Sequence, residues 1–525
     1  NVNGQGNLTT GGTLTVADPD AGEASFHGTV TPSAGALGTL TIAPNGTWAY
    51  SVPNSAVQYL KSGKTRVETF TVSTVDGTQQ TVTVTIHGVS DTAVIGGDAA
   101  GSVTEDLNVT AGNLTTGGTL TVADPDTGEA SFQGTVTPSA GALGTLTIAP
   151  NGSWSYSVPN SAVQYLKSGE TRVETFTVST VDGTQQTVTV TIHGVSDTAV
   201  IGGDAAGSVT EDLNVTAGNL TTGGALTVTD PDAGEASFHG TVTPSAGALG
   251  TLTIAPNGTW AYSVPNSAVQ YLKSGETKVE TFTVQSFDGT AHTVTVTIHG
   301  VSDIAVIGGN AAGAVTEDLN VNGQGNLTTN GALTVTDPDA GEASFQPTVS
   351  APAGALGTLT IAPNGSWTYS VSNSAVQYLK SGETRVETFT VSTVDGTAHT
   401  VTVTIHGVSD TAVIGGDAAG SVTEDLNVNG QGNLTTNGAL TVTDPDAGEA
   451  SFHGTVTPSA GALGTLTIAP NGTWSYSVAN SAVQYLKSGE TKVETFTVQS
   501  VDGTAHTVTV TIHGVSDIAV IGGNA

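Results

Sequence analysis

The tripeptide Asp-Pro-Asp begins at Asp18, Asp124, Asp230, Asp337 and Asp444, so the chain repeats itself at spacings of 106, 106, 107 and 107 residues by subtraction. A single tryptophan per period, at Trp48, Trp154, Trp260, Trp367 and Trp474, keeps the same step. A unit of this length can bury its own core, which makes it a small domain rather than one turn of a solenoid. Five tandem domains therefore account for the 525 residues.

Within the second period, apolar residues alternate with Thr and Ser, the pattern of half-buried strands. Leu120 and Val122, Phe132 and Val136, Leu146 and Ile148 mark three strands. Trp154, Tyr156 and Val158, then Phe176 and Val178, then Val188, Val190 and Ile192 mark three more. A leading strand, equivalent to Ala199–Val209 of the next unit, brings the count to about seven. Pro150-Asn151-Gly152 and Asp182-Gly183-Thr184 are hairpin connections between strands. One short helical turn is expected at Asn160-Ser161, capped by those side chains, with Ala162, Val163, Tyr165 and Leu166 packing into the core and Lys167-Ser168-Gly169 ending it. Seven short strands with these turns predict an all-β immunoglobulin- or cadherin-like sandwich, five times over.

The chain carries 45 acidic against 11 basic residues, a formal charge of −34. Nucleic acid and anionic membranes both demand a basic face, so neither is a partner; cations are. Cysteine is absent, so any extracellular stiffening must come from something other than disulfides,. No stretch is apolar enough to insert in a membrane. With Asn1 first and no Met, the chain reads as an excerpt of something longer.

The only segment joining one unit to the next is Gly-Val-Ser-Asp-(Thr/Ile)-Ala-Val-Ile-Gly-Gly, too short to be a flexible tether. Boundaries fall at Asp91, Asp197, Asp303, Asp410 and Asp517. The repeats are then 1–91, without its leading strand, 92–197, 198–303, 304–410 and 411–517. Residues 518–525 begin a further copy or a donor strand for another chain.

The run Leu226 to Ala236 (Leu-Thr-Val-Thr-Asp-Pro-Asp-Ala-Gly-Glu-Ala), Gly258-Thr259-Trp260-Ala261-Tyr262, Tyr271 to Glu276 and Glu280-Thr281-Phe282-Thr283-Val284 resembles the VCBS repeat family. Four separated motifs occur in order, and the resemblance covers every unit. It implies cadherin-like sandwiches from large bacterial surface proteins of the RTX-adhesin type, used in attachment and biofilm formation. The glycine-rich calcium nonapeptides of RTX proteins are absent from this stretch.

Strands of such a sandwich alternate in direction, so their loops emerge at opposite ends, and this decides which acids meet. Between the second and third repeats, Glu105, Asp106 and Asp197 face Asp230, Asp232, Glu235 and Asp288. The corresponding sets are Asp91 with Asp124, Asp126, Glu129 and Asp182; Glu211, Asp212 and Asp303 with Asp337, Asp339, Glu342 and Asp395; and Glu317, Asp318 and Asp410 with Asp444, Asp446, Glu449 and Asp502. Hard oxygens from several segments suit calcium, which takes 6–8 of them in flexible geometry. The arrangement also resembles the acidic junctions of cadherins. The bland alternative is that Asp-Pro-Asp-Ala-Gly-Glu is a loop whose aspartates only cap turns. Asp98, replaced by Asn310 and Asn524 elsewhere, is at most an auxiliary oxygen.

The remaining polar residues suggest no chemistry. The tryptophans share a register with core residues such as Tyr50 and Val52. His87, His193 and His299 lie on the outward register, without the convergence zinc needs. Lys61 and Arg66 read as a solvated surface pair with nearby glutamates. No nucleophile elbow or phosphate loop is present, so no enzyme is expected. The expectation is an extracellular or cell-surface extender with calcium at its joints, its surface ligand held by other parts of the protein. Neighbouring repeats, and self-association into a filament, complete the expected partners. The alternative is that each repeat itself binds glycan or protein and gains by avidity.

Overall fold

A computed structural model describes residues 1–520 and 522 of the chain. The chain forms two compact units. One comprises Asn1–Gly207, Thr221–Ser263 and Glu280–Val296, and the other Ser208–Leu220, Val264–Val279 and Thr297–Ala525.

In the first unit the second repeat shows the design in full. Its strands are Val94–Gly97, Ala100–Thr104, Asn113–Ala123, Phe132–Pro138, Thr145–Ile148, Ser153–Pro159, Thr171–Thr180 and Gln185–His193. They form two four-stranded sheets. One runs Phe132–Pro138, Thr171–Thr180, Gln185–His193, Ala100–Thr104; the other runs Thr145–Ile148, Ser153–Pro159, Asn113–Ala123, Val94–Gly97. The period-two pattern holds: Val188, Val190 and Ile192 are fully buried while His193 faces out.

The single leading strand expected from sequence is in fact two. Val94–Gly97 pairs antiparallel with Leu120–Ala123, whereas Ala100–Thr104 pairs in parallel with Thr189–His193 on the opposite sheet. Gly97 makes the crossing possible. Its φ is +88°, and a Cβ there would lie 2.4 Å from the Thr119 carbonyl oxygen, so no other residue fits without moving the backbone,. The crossing is pinned by Trp154, whose Nε1 donates to the Asp98 carbonyl at 2.8 Å. Trp154 is buried, as its register required, in a core with Leu114, Phe132, Tyr156 and Phe176.

The expected helical turn is a short 3-10 turn at Asn160–Ala162 with no side-chain cap. Val163 and Leu166 enter the core as expected, but Tyr165 does not: it is exposed, its hydroxyl accepting from Arg172 Nη1 at 3.2 Å. The Asn160 amide is engaged elsewhere, as described below.

The first repeat has two three-stranded sheets, lacking both leading strands, and its Trp48 is only half buried. In the second unit the fourth and fifth repeats reproduce the eight-stranded plan around Trp367 and Trp474. The third repeat has the same order of elements along the chain and contributes segments to both units. Of the expected further strand at 518–525, residues 521 and 523–525, Asn524 among them, lie outside the described residues. Among the described residues no helix is long and apolar enough to cross a membrane.

Candidate metal centre

The acids that the strand directions bring together meet in space, and each junction set falls within a single compact unit. At the end of the second repeat, the chain leaves the Ala100–Thr104 strand by a Glu-Asp-Leu-Asn turn. The Glu105 amide donates to the His193 carbonyl at 2.9 Å, which aims its side chain inward. Asp106 and Asn108 then take φ of +54° and +59°, the left-handed region that Asp and Asn enter more readily than other side chains, and Asp106 is held there,.

The holder is Asn160. Its Oδ1 accepts from the Asp106 amide at 3.0 Å, and its Nδ2 donates to Asp106 Oδ1 at 2.6 Å. Gln164 Nε2 donates to both Glu105 Oε1 and Asp106 Oδ1, at 2.9 and 3.0 Å. The carboxylates are thus fixed by two amide side chains, of which the sequence pointed to Asn160, as a helix cap, and not to Gln164.

The facing loop of the third repeat is built by its own aspartates. Asp230 Oδ1 accepts from the Asp232 amide, and Asp232 Oδ2 accepts from the amide of Asp197 in the connecting segment, both at 2.9 Å. Asp232 is 1 % exposed and Glu105 0 %. The turn-capping alternative is therefore correct for Asp230 Oδ1, whereas Asp232 Oδ2 holds the connecting segment 35 residues away. The other oxygen has no donor: Glu105 Oε2, Asp197 Oδ2, Asp230 Oδ2 and Asp232 Oδ1 are all buried and unpartnered.

Glu105, Asp106 and Asp197 each offer an oxygen within 4.8 Å of the others, and so do Asp230, Asp232 and Glu235. Burial, with the charges of Asp197, Asp106 and Asp232, pushes the Glu105 carboxyl up to about 7. Burial and the charges of Asp106 and Asp232 push Asp197 up to about 6. A protein that hides several negative oxygens together without donors pays for it unless a cation is supplied.

The other junctions repeat the arrangement. Glu211 and Glu317 are pushed up to about 7, burial being the largest cause in each, and Asp410 to about 6 by burial and Asp318. Unpartnered buried oxygens recur on Asp303, Asp337 and Asp339, and on Asp410, Asp444 and Asp446. Asp212 and Asp318 are clamped like Asp106, by Asn266 and Asn373. At the first junction Asp91, Asp124 and Asp126 have the orphaned oxygens, while the first repeat offers no counterpart of Glu105 and Asp106 in this chain. Glu424, at the end of the fifth repeat, has both carboxylate oxygens buried and unpartnered.

Two sets of expected ligands have partners already. Asp182 sits in the hairpin with Thr180 and Thr184, and its Oδ2 accepts from the Ala93 amide at 3.0 Å. These donors outweigh burial and hold its carboxyl below the usual range, as at Asp288, Asp395 and Asp502. The hairpin aspartates tie the connecting segment down. Glu129, Glu235, Glu342 and Glu449 instead reach back to a lysine of the preceding repeat: Lys61 at 3.1 Å, Lys167 at 3.8 Å, Lys273 at 3.7 Å and Lys380 at 3.7 Å.

Lys61 and Arg66 are thus not the solvated pair expected. Arg66 bonds Glu68, which is 1 % exposed. The backbone joins in at each junction: the Ala233 amide donates to the Tyr165 carbonyl at 3.1 Å, and Thr127, Ala340 and Ala447 do the same to Tyr59, Tyr271 and Tyr378. Asp98 is exposed at the strand crossing, away from these groups.

In the clusters around Glu105, Asp124, Glu211 and Asp230 the donor set is wholly oxygen, offered by several chain segments. That chemistry fits calcium, which tolerates irregular oxygen cages, better than zinc.

A bacterial cadherin-like domain model matches residues 1–88, 90–194, 196–300, 302–407 and 409–514. The chain belongs to the bacterial cadherin-like domain family. Domains of this family here carry their acids where one repeat meets the next. No curated protein matches the chain.

Solved structures similar to this family member include extracellular cadherin domains 1–5 of protocadherin gamma B2, 13 % identical, covering 93 % of each chain with a TM-score of 0.37. The human desmocollin-1 ectodomain is 12 % identical over 97 % of this chain and 96 % of that one, with a TM-score of 0.27. A calcium-stabilised adhesin that helps an Antarctic bacterium bind ice is 21 % identical over 81 % of this chain and 100 % of its own, with a TM-score of 0.26.

Proposed function

We propose that these repeats are the extender of a bacterial surface adhesin of the VCBS type, outside the cell, and that calcium bound between successive repeats stiffens it for attachment and biofilm formation. Repeat boundaries at Asp91, Asp197, Asp303, Asp410 and Asp517 place one connecting aspartate in each joint. The observation that carries the reading is the set of buried, donorless carboxylate oxygens gathered at those joints and sparse elsewhere.

At the second joint the ligands are Glu105, Asp106, Asp197, Asp230 and Asp232, with Glu235 of the same cluster able to join them while keeping its 3.8 Å contact with Lys167. Calcium there replaces the missing donors and ties two repeats to one ion. Extracellular modules bind calcium with dissociation constants of about 10⁻⁴–10⁻³ M. At ~10 mM the gain is then roughly 1.4–2.7 kcal/mol per site.

Chelation by EDTA tests the proposal. The thermal midpoint of the chain falls by several degrees and recovers on adding excess calcium; an unchanged midpoint refutes it. An array of glycans and matrix proteins, probed with the same chain, separates extender from binder, the extender remaining inert.

A further inference from the structure

Ten Asn-Gly pairs occur in the chain, and the fold places them in three settings. Asn-Gly is the dipeptide most prone to lose ammonia, because glycine leaves its backbone nitrogen free to approach the asparagine side chain. What the surroundings do to that approach differs among the three.

Five pairs, at Asn45, Asn151, Asn257, Asn364 and Asn471, form hairpin turns. There the glycine is buried and its amide is occupied: Gly152 donates to the Ala149 carbonyl at 2.9 Å, and Gly46, Gly258, Gly365 and Gly472 do likewise. Two pairs, at Asn330 and Asn437, lie inside strands paired to the tryptophan strand, with Gly331 opposite Trp367 and Gly438 opposite Trp474. Ring closure onto the side chain would break the turn in the first group and the ladder in the second.

The remaining three, at Asn3, Asn322 and Asn429, sit in the Asn-Gly-Gln-Gly loops of the first, fourth and fifth repeats. Gly4, Gly323 and Gly430 are exposed, and an added Cβ would meet nothing within 4 Å at any of them. Their amides make no backbone hydrogen bond among the described residues. The asparagine is also activated: Asn322 Oδ1 accepts from the amides of Gln324 and Asn326, both at 3.0 Å. Asn3 and Asn429 hold the same pair of donors. Two backbone amides on one carbonyl oxygen are what stabilises the negative charge that builds there when Cγ is attacked.

We propose that Asn3, Asn322 and Asn429 are self-modifying sites that convert to aspartate and isoaspartate in the folded chain, while the other seven Asn-Gly pairs are protected. The Gly323 nitrogen loses its proton to solvent base and bonds to Asn322 Cγ. The Cγ–Nδ2 bond breaks and nitrogen leaves as ammonia, giving a five-membered succinimide. Water then adds to either ring carbonyl and reopens it. Each event adds one carboxylate, and the isoaspartate product adds a backbone methylene, in the loop that follows Glu317 and Asp318.

Peptide mapping by mass spectrometry of the whole chain, kept folded in calcium at mildly alkaline pH, tests this. The three loop asparagines convert at least about tenfold faster than the hairpin and strand asparagines. In urea that ratio collapses. The variant Gly323→Ala, for which there is room, slows Asn322 alone and leaves Asn429 as the internal control. Hairpin asparagines converting at the loop rate in the folded chain, or loop asparagines that convert only in urea, would overturn the proposal.

Discussion

Two glutamates in the second repeat are equally hidden, Glu105 at 0 % and Glu174 at 1 % exposure, yet they are opposites. Glu174 accepts from the Leu143 and Gly144 amides, from Tyr156 Oη at 2.8 Å and from Arg172 Nε at 3.2 Å. Burial pushes its carboxyl up, but those four donors win and hold it below its usual value. Glu105 has only the Gln164 side-chain amide and the Val195 backbone amide, an orphaned Oε2 and three like charges around it. Burial alone therefore decides nothing. A buried carboxylate with its donors in place is a brace, and one without them has room for the cation proposed above.

The largest effect should come from breaking the brace. Glu174→Ala leaves Arg172, Tyr156 and two amides facing nothing, and should cost about 3–5 kcal/mol. Urea unfolding followed by Tyr and Trp fluorescence should show that loss equally with calcium and with EDTA. A loss that depends on calcium would erase the distinction between the two glutamates.

Neutralising the waiting carboxylate should act oppositely. Glu317→Gln removes a repulsive charge, so in EDTA it should leave stability unchanged or raised. In calcium it should forfeit most of one site's gain, about 1.4–2.7 kcal/mol at ~10 mM. Acid does the same reversibly. Unfolded, these glutamates titrate near 4.5; folded and metal-free, Glu105, Glu211 and Glu317 hold their protons up to about 7. The folded state binds more protons in that window, so metal-free stability should fall as pH rises through it and rise on acidification. Below the window the sign reverses, because Asp182 and Asp288, held low, are protonated only at a cost. A metal-free midpoint that climbs from pH 5 to 7 would contradict the shifts.

The smallest effect belongs to the lysine that spans the joint. Lys167→Ala should cost about 0.2–1 kcal/mol, the range of surface pairs, because the lysine is 34 % exposed and lies 3.8 Å from the Glu235 carboxylate,. The loss should be greater in EDTA, where nothing else joins the Glu235 carboxylate to the preceding repeat.

Much of this was legible in the sequence. The period, the strands and the meeting of the acids follow from Asp-Pro-Asp spacing and period-two alternation. The division of the leading strand was not, because Gly97 and Ala99–Ala100 read as one run of small residues, and the crossing depends on a close approach to the Thr119 carbonyl. Asn160 reads as a helix cap and Gln164 carries no signal of its own; their role depends on a loop over fifty residues earlier. The Glu174 brace had a signal that was passed over. In Arg172-Val173-Glu174-Thr175-Phe176 the glutamate shares the inward register of the phenylalanine, and a charge at such a place needs a partner.

Calorimetric titration of calcium into the chelated chain tests the central claim most directly, with Glu317→Gln beside it. The account predicts saturable binding of several ions per chain at about millimolar affinity or tighter, with the variant losing binding at one joint only. Absence of binding heat together with an unchanged unfolding midpoint, or a variant that binds like the native chain, would contradict it.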